Sequence, residues 1–209
     1  MIRLLGRATS GNVQKVIFLL EELGVTYTRE DYARQFNNTN TDAYRAMNPT
    51  MKVPTLVDGQ TVAWESNTIL RYLAATHGPQ FAGATPAEKT YVERWMDWML
   101  AALNPPYLAV FRDAKKPAAE RSADFPAQSA DLIAQLKILD THITGKAWFA
   151  LDRLTLADIA LAPVVKRCLE FPIERPDFPE LMRWMAAIEA RPAFAVATGA
   201  KPSTLASAA

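Results

Sequence analysis

Residues 48–58 read Asn48-Pro49-Thr50-Met51-Lys52-Val53-Pro54-Thr55-Leu56-Val57-Asp58, and Trp64-Glu65-Ser66-Asn67 begins six positions further on. Pro54 stands where a strand over 55–57 should begin, and a sheet accommodates proline only at such first or edge positions. If the Val53–Pro54 bond is cis, a state that costs about 0.5–1 kcal/mol and is used in tight turns, the backbone of Val53 turns outward. Its N–H and C=O can then pair with an extended peptide laid antiparallel on the exposed edge. If the bond is trans, Pro54 merely starts a strand. Asp58-Gly59 is a two-residue hairpin signal between the runs 55–57 and 61–63. Ser66 can cap the helix that carries Ile69, Leu70, Tyr72 and Leu73, and such an N-terminus offers free N–H groups and the positive dipole end to a carboxylate. With Glu65 beside it, this end complements an amino-acid zwitterion, carboxylate to the N–H groups and ammonium to Glu65. Taken without Val53-Pro54, Glu65-Ser66 is an ordinary helix cap.

Working outward toward the N-terminus, residues 2–5 form a short apolar run of strand type closed by Gly6. From Asn12 the residues Val13, Val16, Ile17, Leu20 and Leu23 recur at helical spacing, and Gly24 sits where a helix stops. Residues 25–31 read as a second strand, 34–41 as a polar connection, and 42–47 as a short, weakly signalled helix ended by Asn48-Pro49. On the other side, His77-Gly78-Pro79 stops the helix begun near Ser66, and the small residues up to Ala84 read as a linker. Domains are therefore expected over 1–78 and 85–209, joined by 79–84.

Thr85-Pro86-Ala87-Glu88 carries the signature of a capping box with proline at the first helical position. The helix it opens bears Tyr91, Trp95, Trp98, Met99 and Ala102 on one face and meets Asn104-Pro105-Pro106, which must bend or end it. Trp95 reads as core; Tyr107, Phe111 and Arg112, beyond the break, are candidates for an open cleft, although Arg112 is equally an exposed helix-end arginine. Residues 127–143 form another amphipathic helix. At Leu154-Thr155-Leu156-Ala157-Asp158-Ile159, Thr155 starts a helix that Asp158 can reach back to cap, and Pro163 should kink it. The last clear helix opens at Asp177-Phe178-Pro179-Glu180 and closes at Arg191-Pro192, and from Gly199 onward the small residues suggest a mobile tail.

Strand, helix, strand, then V-P-T-L-V-D, the D-G hairpin and E-S opening a helix resembles the thioredoxin-like domain of the glutathione transferases, and the resemblance covers nearly the whole chain. It implies an α/β thioredoxin-like N-terminal domain followed by an all-α helical domain holding a second-substrate site. In that family the residue before the cis proline pairs with the cysteinyl backbone of glutathione, and the Glu/Gln-Ser pair holds the γ-glutamyl end. The resemblance carries those roles to Val53, Glu65 and Ser66, with Pro54 fixing the turn. Lys52 either pairs with the glycine carboxylate as a flexible point charge or is a solvated strand-end lysine. The family's thiol-activating residue lies in the loop before the first helix, here Thr9-Ser10-Gly11-Asn12. The run from Ser10 to Val16 resembles the serine-using and threonine/asparagine-using bacterial classes, so Ser10 and Asn12 are the implied catalytic residues, with Thr9 beside glutathione. Read without the family, Ser10 and Asn12 are helix caps. The absence of tyrosine or cysteine from this loop argues against the tyrosine classes and against cysteine-based chemistry.

Composition narrows the remaining classes. Twenty-three Lys and Arg stand against 22 Asp and Glu in 209 residues, a formal net charge of +1, and no long block of like charge marks a nucleic-acid surface. Cys168 is the single cysteine, which rules out an internal disulfide, fits a reducing cytoplasm and reads as a buried small hydrophobe. With only His77 and His142 besides, no metal-ligand spacing arises. No stretch has a signal-peptide or membrane-spanning character. The expectation is a cytoplasmic, homodimeric detoxification enzyme in which glutathione is co-substrate, without metal, membrane or nucleic acid, and the partner substrate is a hydrophobic electrophile. The alternatives are a glutathione-dependent disulfide or peroxide reductase using the same site, and a non-enzymatic binding protein on the same scaffold.

Overall fold

Parallel strands need a crossover, and the first 30 residues supply one: β1 (Ile2–Leu5), α1 (Gly11–Leu23) and β2 (Tyr27–Glu30). The computed structural model describes residues 1–208. Val13, Val16, Ile17 and Leu20 of α1 are buried as their spacing predicts, and the helix ends on Gly24 at φ 67°, the left-handed conformation that glycine adopts without steric cost. β3 (Thr55–Asp58) and β4 (Thr61–Trp64) form the expected hairpin around Gly59. With β5 (Ala206–Ala208), the described strands make one sheet in the order β4-β3-β1-β2-β5. β1 is parallel to β2, β2 to β5, and β3 is antiparallel to both β1 and β4.

The register positions the site. Leu5 lies opposite Thr55, and Thr55 opposite Trp64, so β1 leaves, β3 enters and β4 leaves at one end of the sheet. The segments 6–10, 51–54 and 65–66 therefore gather there. α2 (Asp42–Met47), whose N-terminus is capped by the Thr41 hydroxyl accepting from Tyr44 N at 3.1 Å, packs its buried Tyr44 beneath the middle one of these segments. α3 (Ser66–His77) starts directly from the third.

The chain divides into two units, Met1–Ala82 together with the residues from Glu189 onward, and Gly83–Ile188. This differs from the sequence expectation, which left 189–209 with the helical domain. After Arg191-Pro192 a further helix, α4, spans Pro192–Ala197 and buries Phe194 against Phe18 of α1, ring centroids 5.1 Å apart. The Arg191 guanidinium grips Glu22 through two bonds of 2.5 and 2.7 Å. The segment expected to be a mobile tail instead pairs with β2 as β5, Tyr27 opposite Ala206.

In the second unit the helices are α5 (Pro86–Trp98), α6 (Asn104–Asp113), α7 (Phe125–Ile143), α8 (Leu156–Glu170) and α9 (Pro179–Glu189). Asn104-Pro105-Pro106 neither ends nor breaks the path: a π-helical turn, Met99–Leu103, precedes it, and α6 begins at Asn104 with its prolines in the first turn, where no N–H is required. Asp158 is wholly buried and does more than cap α8. Its Oδ2 accepts from the N–H and hydroxyl of Thr155 at 3.0 and 3.1 Å, while Oδ1 accepts from Phe149 N at 3.0 Å and Trp184 Nε1 at 3.1 Å. Burial nevertheless pushes its carboxyl up to about 6, against the pull of those four donors. Trp95 is core, as expected.

Candidate functional site

At the sheet end defined by Leu5, Thr55 and Trp64, the Val53–Pro54 peptide is cis. Val53 is half-buried, and among the described residues neither its N–H nor its C=O bonds to another main-chain group. An extended ligand backbone can take both. The first loop is drawn up close: a side chain on Gly6 would meet Val13 at 2.5 Å and the Val53 Cβ at 3.3 Å, so only glycine lets β1 pass this near.

A closed polar ring holds the segment below Val53. The Tyr44 hydroxyl bonds to the Lys52 carbonyl at 2.7 Å and to Thr55 Oγ1 at 2.8 Å. Asn48 Nδ2 donates to the same carbonyl and to Thr55 Oγ1, both at 2.9 Å, and Asn48 Oδ1 accepts from the N–H and hydroxyl of Thr50 at 3.0 and 2.8 Å. Tyr44, Asn48 and Thr55 are each at most 1% exposed. The sequence reading missed all three: Asn48 registered only as a helix stop before Pro49.

Ser10 precedes the first residue of α1 and is buried, yet its side chain accepts no bond from the helix N–H groups. The helix-cap reading is thus not realised, and the hydroxyl is uncommitted to the helix. Asn12, in the first turn, is exposed, as is Thr9. At the third segment the cap of α3 is Glu65 rather than Ser66: Glu65 is exposed at φ 68°, ψ 118°, and Ser66, 3% exposed, is the first helical residue. A non-glycine residue held at positive φ is strained, and such residues cluster at ligand sites. The Lys52 side chain is exposed while its carbonyl is bound inward.

The first unit thus brings Ser10, Val53, Pro54, Glu65 and Ser66 to one end of its sheet, with Thr9, Asn12 and Lys52 exposed around them. Tyr107, Phe111 and Arg112 belong to the second unit. Tyr107 is not open as expected: it is 6% exposed, its ring stacks on Phe171 with centroids 5.9 Å apart, and its hydroxyl accepts from Arg167 Nη1 at 3.3 Å. Phe111 is half-buried against the same two rings, and Arg112 is exposed. Cys168 is fully buried and its thiol is pushed up strongly by burial. Among the described residues no three His, Cys, Asp or Glu side chains gather to hold a metal ion, and no helix is long and apolar enough to cross a membrane.

Comparison with known proteins bears on this geometry. Residues 9–76 match the family described as glutathione S-transferase, N-terminal domain, and residues 96–192 match glutathione S-transferase, C-terminal domain. The glutathione S-transferase GstB of Escherichia coli is 34% identical over 198 residues, covering 92% of this chain and 95% of that protein. The chain belongs to the glutathione S-transferase family. A solved theta class glutathione S-transferase from Xanthomonas axonopodis pv. citri, with glutathione bound, is 36% identical with a TM-score of 0.89, covering 98% of each chain. A glutathione transferase family member from Pseudomonas fluorescens, solved with two glutathione molecules bound, is 25% identical with a TM-score of 0.84 and covers 94% of this chain and 92% of that one.

Proposed function

We propose that the protein is a glutathione-dependent transferase that activates the glutathione thiol for attack on an electrophilic small molecule. The observation that carries this reading is the open N–H and C=O of Val53 on the same sheet end as Ser10 and Glu65-Ser66. The cysteinyl backbone pairs with Val53. The γ-glutamyl group binds by its carboxylate at the start of α3 and by its ammonium on Glu65. Lys52 receives the glycine carboxylate, and Thr9 flanks the thiol. Ser10, with Asn12 as helper or substitute, donates to the sulfur and favours the thiolate, which is the nucleophile. The glutathione-bound theta class relative supports this assignment of ligand.

In the reaction the thiolate sulfur forms a bond to an electrophilic carbon and a leaving group departs with the bonding electrons. Tyr107, Phe111 and Arg112 are the proposed contacts of a hydrophobic electrophile. Cys168, buried and held protonated, cannot exchange disulfides, which favours conjugation over a reductase that uses a protein thiol. A cytoplasmic, homodimeric detoxification enzyme fits the family and the composition. Val62 and Trp64, apolar and exposed on the edge strand β4, suit burial in a dimer. The test is calorimetric binding of glutathione together with formation of the thioether from 1-chloro-2,4-dinitrobenzene, with chloride released. Binding and product are expected; absence of binding at millimolar glutathione overturns the reading. A sedimentation mass near 23.2 kDa would exclude the dimer.

A further inference from the structure

The first unit encloses a cavity of about 310 Å³ that the glutathione reading does not use. Its floor is Tyr27 and Arg29, alternate residues and therefore on one face of β2. One wall is Gln14 and Ile17 of α1, and the end of α4 forms another at Val196 and Ala197. The roof is the segment after Gly199, which contributes Lys201 and Ser203. That roof is fastened. The Ser203 hydroxyl donates to the Glu21 carboxylate, which also accepts from the Tyr27 hydroxyl at 2.9 Å, and Ser203 Oγ accepts from Leu205 N and Ala206 N at 3.0 and 2.8 Å. Ala200 N and Lys201 N both donate to the Ala195 carbonyl, at 2.8 and 3.2 Å. Chain composition there reads as a loose tail; the bonds make it a lid over a defined space.

The charges in the lining are of one sign. Arg29 and Lys201 are cationic, and no carboxylate lines the cavity. Arg29 Nη1 is occupied by the Gly6 carbonyl at 3.1 Å and Asp31 Oδ1 at 2.5 Å, which leaves the Nε and Nη2 hydrogens of the fork for a ligand. Asp31 offsets much of the Arg29 charge, so Lys201, which forms no ion pair among the described residues, supplies the uncompensated one. Ile17, Val196 and Ala197 give the opposite wall an apolar surface. A volume of about 310 Å³ is at the small end of ligand pockets, which begin near 300 Å³.

We propose that this cavity binds a small amphipathic carboxylate, with its anionic end on Arg29 and Lys201 and its apolar body against Ile17, Val196 and Ala197. Inorganic anions would leave the apolar wall unused, and a neutral apolar molecule would leave the two cations unpaired. Thr9 lines the same cavity, so an occupant touches the residue before Ser10. The site stands apart from the glutathione reading, and its test does not require catalysis.

The experiment is a calorimetric titration of the full chain with octanoate, with octan-1-ol as the uncharged probe, each with and without saturating glutathione. Octanoate is expected to bind one per chain, at least tenfold more tightly than octan-1-ol, and not to be displaced by glutathione. Lys201→Glu, a change at an exposed position, should weaken octanoate at least tenfold and leave octan-1-ol unchanged, with the melting curve intact. Val196→Trp should fill the cavity and exclude both probes. No octanoate binding at millimolar concentration overturns the proposal. So does unchanged octanoate binding in Lys201→Glu, or displacement by glutathione in proportion to its own occupancy.

Discussion

The Tyr44 hydroxyl donates to the main-chain carbonyl of Lys52 across 2.7 Å, and this single proton fixes the direction of every other bond in the ring. Because Tyr44 has given its proton away, Thr55 must donate its own to Tyr44 Oη, leaving Thr55 Oγ1 to accept from Asn48. All partners are satisfied, and the Lys52 carbonyl is held inward beneath Val53.

Tyr44→Phe removes the donor to that carbonyl and orphans the Thr55 hydroxyl in a buried site. Leaving a buried polar group unsatisfied costs about 1–3 kcal/mol. We expect a lower melting temperature and a several-fold higher KM for glutathione with kcat little changed, because the loss falls on positioning Val53 rather than on the sulfur. Steady-state kinetics beside a thermal melt check this; an unaltered KM would show that the ring does not hold the loop.

The V-P-T-L-V-D run and its D-G hairpin were readable because each feature is local: a proline at a strand start, a glycine in a turn, alternation on either side. The ring that supports them was not, since Tyr44, Asn48 and Thr55 are unremarkable polar or aromatic positions until the fold stacks α2 under β3. Local pattern also misassigned the α3 cap, because Ser66 is the better capping residue and only the backbone at Glu65, φ 68°, reveals that the helix starts one residue later. The C-terminal segment misled for a different reason. Its small residues carry no periodicity, and what orders it, Arg191 on Glu22 and Ser203 on Glu21, spans more than 160 positions in sequence. Tyr107 was expected in the open because it follows two prolines, but the π turn before them carries the helix on and the ring packs against Phe171.

Asp158→Asn tests the second unit at nearly constant shape. The amide can still accept from Phe149 and Trp184 through its oxygen, but its NH2 then faces the N–H and hydroxyl of Thr155, donor against donor. With about 1–3 kcal/mol lost for each unsatisfied buried group, and about 2–4 °C per kcal/mol in a chain of this size, the melting temperature should fall by several degrees. Glutathione affinity should hold, as Asp158 touches none of its proposed contacts. A wild-type melting curve would mean that the four bonds to Asp158 are not formed.

His142 gives the pH dependence. Its Nε2 lies 2.8 Å from the Phe149 carbonyl, which can only accept, so Nε2 carries the hydrogen; Nδ1 faces Lys146 Nζ at 3.5 Å. Burial holds the imidazole below its ordinary 6.5, the Phe149 bond opposes this, and Lys146 and Arg94 add to the lowering. The unfolded chain therefore binds more protons than the folded one as pH drops below 6.5, and this residue's contribution to stability falls with it. His142→Gln keeps an N–H donor without the titration. Relative to wild type, its melting temperature should improve steadily between pH 7 and pH 5; a pH-independent difference would place the His142 pKa at its ordinary value.

The mechanism turns on Ser10 and Asn12. A free thiol has a pKa near 8.5, so only a few per cent is thiolate at neutral pH. A serine hydroxyl is far too weak a base to take the proton, but it can donate to the sulfur anion, and a hydrogen bond to a charged group contributes about 1.5–3 kcal/mol. At about 1.36 kcal/mol per pH unit, that lowers the thiol pKa by roughly one to two units. Ser10 is suited to this role because its side chain makes no cap bond and lies at the N-terminus of α1, whose dipole favours the same anion. Asn12, exposed in the first turn, is the second donor available to the sulfur. Ser10→Ala should therefore raise the pKa of bound glutathione, read from the thiolate absorbance, by about one to two units. Asn12→Ala should raise it less, and kcat/KM near neutral pH should fall in proportion to the lost thiolate. If both single variants keep the wild-type thiol pKa and turnover, the loop before α1 does not activate the sulfur, and the donor must be sought elsewhere.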